Sequence, residues 1–232
     1  MYKRELYQSV EFIRQKYSIS EYPLDTVSVL GEVNNLFLEF YPFVTTGLRG
    51  IAKPMEGGKC VVILNSQRSK VERNFDFAHE FMHFCLHSKV KTGSFQCFEK
   101  VCSKQNVFIE WQANEGAAEL IIPYKALLPL IKEKYKKVNL SEDILGLRND
   151  LAKEFNVTSS VIEIRLESLK YEIHQYLSGC DLDKIKILSL SEQKKHKIRV
   201  NSLNTLEQIL FKQEIEALKK NTRLRYSNMI YR

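Results

Sequence analysis

Within Arg73-Asn74-Phe75-Asp76-Phe77-Ala78-His79-Glu80-Phe81-Met82-His83-Phe84-Cys85-Leu86-His87, the pattern His-Glu-x-x-His sets two imidazoles one helical turn apart on a single face. In a chain with only 5 histidines, roughly 0.01 such matches arise by accident. At about 100° per residue, with His79 at zero, Glu72, Asp76, His79, Glu80, His83 and His87 fall between about 0° and about 100°, and Arg73 at about 120°. Phe75, Phe77, Ala78, Phe81, Met82, Phe84, Cys85 and Leu86 take the rest of the circle. A narrow polar stripe thus runs along a helix otherwise suited to a core. Unpaired polar groups are costly there, so the stripe has to line a cleft or hold an ion, and its spacing is that of zinc ligands.

Two histidines leave such a site incomplete, because a hydrolytic zinc takes three protein ligands and one water. The available residues are Glu110, Glu115 and Glu119 on the next strong helix, His87, and Cys97 and Cys102 between the helices. With Glu110 at zero on its own wheel, Asn114 lies at about 40°, Ala117 at about 340°, Ala118 at about 80° and Ile121 at about 20°. Glu110 therefore occupies a small-residue face on which two helices can approach closely, with Asn114 placed to hydrogen-bond the site. Gln112, Glu115 and Glu119 cluster from about 140° to about 200°, and the two glutamates read as solvated charges. Three ligands spread over two turns of one helix cannot converge on one ion, so His87 reads as a cleft-lining or supporting residue. Cys97 and Cys102 read as an ordinary pair of thiols. Glu80 is the carboxylate that would take a proton from a metal-bound water. The oxyanion that follows needs a further donor, and His87 and Arg73 are both open candidates.

Apolar periodicity predicts a helix over Lys3 to Tyr17, and Asp25 and Gly31 bracket a second, short one. Leu36 to Tyr41, Leu48 to Lys53 and Cys60 to Asn65 read as strands, which suggests a small antiparallel sheet. Ser88 to Val107 carries no clear period, with a loop at Lys91-Thr92-Gly93-Ser94. Helices are expected over Ile109 to Leu120, Tyr124 to Lys134, Ser141 to Phe155 and Ser159 to Leu177. Leu151 to Leu166 has the outline of a helix-turn-helix, but Glu163 and Glu167 beside a single Arg165 make a poor base-reading face, so a packing role is favoured.

The run from Arg73 to His87, followed by Glu110-Trp111-Gln112-Ala113-Asn114-Glu115-Gly116-Ala117-Ala118-Glu119-Leu120-Ile121-Ile122-Pro123, resembles the ImmA/IrrE family of bacterial and phage metallopeptidases. The resemblance covers roughly residues 1 to 175 and departs at Gly116, where the family usually has an aromatic residue. It implies His79, His83 and Glu110 as zinc ligands, with Zn2+ as the cofactor, and Glu80 as the catalytic carboxylate. The fold class is then α+β: the resemblance implies a zincin-like core, with a small antiparallel sheet packed on an active-site helix, then a helix-turn-helix-like region, and charge marks a basic C-terminal extension beyond it. The corresponding divisions are residues 1–138, 139–178 and 179–232. The implied activity is that of an endopeptidase cutting a specific protein, a helix-turn-helix repressor of a phage or mobile element. A DNA- or partner-binding regulator, or a toxin–antitoxin component carrying a zinc site, is the alternative.

Charge and cysteine usage bound the rest. The net charge is +7, and residues 191–232 hold 10 Lys/Arg against 4 Glu, so the basic balance belongs to the tail. Between its two basic runs, Leu206, Ile209, Leu210, Ile215 and Leu218 suggest an amphipathic helix. The tail reads as solvated, with a weak nucleic-acid contact as the sharper alternative. Five scattered cysteines, and an opening Met-Tyr-Lys-Arg-Glu-Leu without a secretory apolar core, lead to an expectation of reduced thiols in the cytoplasm. No stretch is apolar enough to predict a membrane span.

Overall fold

The computed structural model describes residues 1–20, 22–88, 93–98, 105–136 and 138–230, with side chains as far as residue 220. Lys91 and Thr92 of the expected loop, and Cys102, lie outside the described residues. The chain divides into two compact units, residues 1–124 with 152–161, and residues 125–151 with 162–232.

In the first unit, α1 (Lys3–Lys16) buries Leu6, Tyr7, Val10 and Ile13 of the apolar residues that carry its period, while Phe12 among them is exposed, and α2 (Thr26–Leu30) is capped by Asp25, which accepts from the Ser28 amide. Among the described residues four strands form one sheet in the order β1 (Leu36–Tyr41), β3 (Cys60–Asn65), β2 (Leu48–Pro54), β4 (Phe95–Phe98). The expected all-antiparallel sheet is corrected here: β1 runs parallel to β3, and only the β2 pairings are antiparallel. Alternation along a strand fixes which side chains face the core, but carries no information on which neighbour lies alongside or in which direction. β4 lies in the stretch where the sequence shows no period, and at four residues it is too short to display one.

Behind the sheet lies α3 (Lys70–His87). Its start is fixed by a capping box in which the Ser69 hydroxyl accepts from the Glu72 amide while the Glu72 carboxylate accepts from the Ser69 amide. α4 (Val107–Ile121) is capped by Asn106 and buried nearly all round. The wheel places Glu115 and Glu119 in solvent, and this too is corrected: they are 8% and 6% exposed. Tyr7 of α1 donates to Glu115 at 2.5 Å with Lys3 nearby, and the Tyr124 amide donates to Glu119 at 3.3 Å. The turn at 152–161 belongs to this unit as well, since Asn74 donates to the Asn156 and Leu24 carbonyls at 2.8 and 2.9 Å.

The second unit is helical. It holds α5 (Tyr124–Tyr135, from Lys125 on) and the larger parts of α6 (Ser141–Glu154) and α7 (Ser159–Ser168). α8 (Lys170–Leu177), α9 (Leu190–Lys195) and α10 (Leu203–Ile230) complete it. The single helix expected over Ser159 to Leu177 breaks at Leu169 (φ −101°, ψ 11°), which is fully buried. Arg148 bridges Glu163 and Glu207 at 3.5 and 3.0 Å, and the Glu214 carboxylate accepts from the amide and hydroxyl of Ser141, so α10 is tied to α6 by named contacts. Arg165 is 1% exposed and is not available to read bases. Among the described residues no helix is long and apolar enough to cross a membrane.

Candidate metal centre

α3 and α4 pack side by side with their small or polar faces together, and the facing residues are those the wheels select. His79 Nε2 and His83 Nε2 lie 3.1 Å apart, with Glu110 Oε2 3.4 Å from the first and Glu110 Oε1 3.6 Å from the second. All three side chains are buried, and their ligand atoms lie within 4.8 Å of one another.

The surrounding hydrogen bonds fix which ring nitrogens are free. Asn114 Oδ1 is 3.0 Å from His79 Nδ1 and can only accept, so the His79 proton sits on Nδ1. Gln112 Oε1, 3.0 Å from His87 Nε2, likewise draws the His87 proton to Nε2. His87 Nδ1 is then an acceptor for His83 Nδ1 at 3.1 Å, which places the His83 proton on Nδ1. Both Nε2 lone pairs therefore point at the same place. Two such lone pairs at 3.1 Å repel, and beside them is a carboxylate, so the group is attractive only around a proton or a cation. One proton serves one ring; a divalent cation serves both and the carboxylate at once. Two neutral imidazoles and a carboxylate are also a donor set that zinc prefers. The residues present thus fit the ion.

Burial lowers His83 to about 4, which keeps the ring neutral, and lowers His87 as well. Burial works to raise Glu110, but a proton held between it and the two imidazoles, at the place a cation would take, more than offsets this and draws the carboxyl down to about 2. Glu80 is 0% exposed, and among the described residues neither of its oxygens has a hydrogen-bond partner. Burial first, then the Glu110 and Asp76 carboxylates, push it well above the ordinary carboxylate range. Room for it comes from Gly50 on β2, where a Cβ would stand 2.8 Å from Glu80 Oε1.

Of the residues singled out in the sequence, the structure brings together His79, His83 and Glu110, with Asn114 on His79 and His87 behind His83. Arg73 instead lies 5.1 Å from the Phe40 ring on β1, at the sheet edge opposite β4. Three contributors escape the sequence reading. Gln112 shares its side of the wheel with the glutamates read as solvated, but it is buried and holds His87. Phe95 stacks on the His83 ring at 4.2 Å and 13°. Arg49 sits at the register shift between β2 and β4, 4.0 Å from buried Asp76, which Arg68 also pairs at 2.5 Å. A bulge of this kind re-aims a side chain, and no alternation pattern reveals it.

A sequence model described as the IrrE N-terminal-like domain of the M78 peptidases matches residues 39–167. No curated protein matched the chain. The matched span opens within β1 and closes within α7, leaving α1, α2 and the helices from α8 onward outside it. Because that match takes in more than half of the chain and every residue of the centre, the protein belongs to the ImmA/IrrE family of metallopeptidases.

Proposed function

We propose that the protein is a zinc-dependent endopeptidase of the cytoplasm that cleaves one particular protein, a helix-turn-helix repressor of a phage or mobile element. The observation that carries the chemistry is the convergence of the His79 and His83 Nε2 lone pairs with the Glu110 carboxylate. Beside it stands a buried Glu80 whose oxygens accept no hydrogen bond among the described residues. Zinc held by His79, His83 and Glu110 would supply an acidified water and polarise the scissile carbonyl. Glu80 takes the proton of the attacking water and passes it to the leaving amine. Both of its oxygens are free for that task, and Gly50 keeps the space in front of them open. Asn114 and the His87–Gln112 pair hold the ligand rings in one tautomer and one orientation. The substrate class comes from the family likeness, and the rival DNA-reading role loses its main donor with Arg165 buried.

The test incubates purified protein and candidate repressor with zinc, beside Glu80→Gln, and maps fragments by mass spectrometry. Cleavage at one bond by the wild type, lost in Glu80→Gln with zinc still bound, is the expected result. Equal cleavage by both proteins removes Glu80 from the mechanism.

A further inference from the structure

We propose that Arg49 sets the sequence preference of this peptidase, its guanidinium receiving the carboxylate of an acidic substrate side chain within about two residues of the cleaved bond. The proposal deepens the peptidase reading above and rests on it. Leu48 pairs with Phe98 and Gly50 with Cys97, so Arg49 is the extra residue of a bulge and takes no place in the register with β4. Alternation along a strand turns neighbouring side chains to opposite faces, and at Gly50 the Cβ direction meets Glu80 of α3. The bulge brings Arg49 round to that same helix, where its Nη1 lies 4.0 Å from Asp76 Oδ1. Asp76 stands one turn before Glu80 on the polar stripe of α3. A helical turn is about 5.4 Å, and an extended peptide advances about 3.3–3.6 Å per residue, so a head at Asp76 serves side chains one or two residues from the reacting carbonyl.

The protein itself makes little use of this guanidinium. Asp76 is held at closer range by Arg68, Nε to Oδ2 at 2.5 Å, and Arg68 also reaches Glu72 at 3.3 Å. The Glu72 carboxylate is further occupied by the amide and hydroxyl of Ser69, at 2.9 and 2.8 Å. Arg49 is left with a long second claim on Asp76. Its Nε is shut off from water and has no hydrogen-bond partner among the described residues, yet the side chain as a whole is 25% exposed. A donor left unsatisfied is costly, and one carried on a side chain that still meets solvent is ready for an acceptor from outside. A carboxylate is the acceptor that suits it: the two oxygens match the fork of the guanidinium, and charge-assisted bonds are roughly twice as strong as those to a neutral carbonyl. Endopeptidase action puts chain ends far from the cleaved bond, so the carboxylate belongs to a glutamate or aspartate side chain.

The test loads the full chain with zinc and measures, by calorimetry, the binding of short end-blocked peptides anchored by a hydroxamate, at the carboxyl end in one series and at the amino end in the other. Each series holds twins with Glu or Gln at either of the two residues next to the anchor, and the second adds a Gln peptide with a free carboxyl terminus. In one series the Glu peptide should bind wild type about tenfold or more tighter than its Gln twin. That ratio should fall to near one in Arg49→Gln and return in part in Arg49→Lys. Twins bound equally by wild type in both series, or a ratio unchanged in Arg49→Gln, overturn the role of Arg49 and leave the metal centre standing. Equal weakening of both twins in Arg49→Gln makes the Arg49–Asp76 contact structural and overturns the proposal as well. A free-terminus peptide bound more tightly than the Glu peptide assigns Arg49 to a chain end instead of a side chain. Wild type that takes up no zinc, or zinc-loaded wild type that binds no hydroxamate, overturns the peptidase reading along with the proposal.

Discussion

Proton placement around His79 and His83 depends on side chains that stand outside the His79–His83–Glu110 cluster. Asn114 and Gln112 each offer an amide oxygen, and the His87 ring relays the effect of Gln112 to His83. Removing such a support costs roughly 10- to 100-fold in metal affinity. Gln112→Leu and Asn114→Leu should each weaken zinc by about that factor in competition with a chelating dye, whereas Glu80→Gln should leave affinity nearly unchanged. His79, His83 and Glu110 are legible in the sequence because helical spacing alone decides which of them face one another. Gln112 is not. An isolated wheel treats the side away from the partner as solvent, while Tyr7 and Lys3 of α1 cover the neighbouring Glu115 on that face.

α3 is an element whose beginning matters more than its length, because the metal-binding turn inherits its position from the capped end. The Ser69–Glu72 box satisfies orphan amides there. Ser69→Ala should cost about 1 kcal/mol, read from urea denaturation. Glu72 is held below its ordinary 4.5, first by the Ser69 amide, then by the Ser69 hydroxyl, with Arg68 adding to both. Its ionised form is thus favoured in the folded chain, so its contribution is complete above pH 4.5 and is lost as pH falls through the lower folded value. The difference in melting temperature between wild type and Glu72→Gln should be widest near neutrality and close as the solution is acidified. A gap that widens in acid would contradict the sign. The strands show the limit of the pattern at this scale. β3 alternates buried and half-buried residues along its whole length, yet its parallel partner β1 cannot be read from that alternation, since pairing across a sheet is settled by long-range packing. β4 is too short to carry a period, and it brings Phe95 and Cys97 to the centre.

For the molecule as a whole, an ion held between α3 and α4 would tie two distant segments of chain together. An ion bound only by the folded state adds about 2.7 kcal/mol when present at about a hundred times its dissociation constant. Chelation should therefore lower the melting temperature of the wild type, and the same treatment should leave Glu110→Gln almost unmoved in a paired thermal scan. The junction of these helices with α1 is filled to contact. At Gly116 a Cβ would stand 3.0 Å from Met82 Sδ and 3.6 Å from Leu6 Cδ1, so those two side chains occupy the volume that a larger residue would need there. Phenylalanine at that point alone should destabilise by about 1–3 kcal/mol, while Gly116→Phe with Met82→Ala should recover much of the loss. Bulk at these two positions is a shared quantity: volume added at 116 has to be given up at 82, so the double exchange should be milder than the single one it contains.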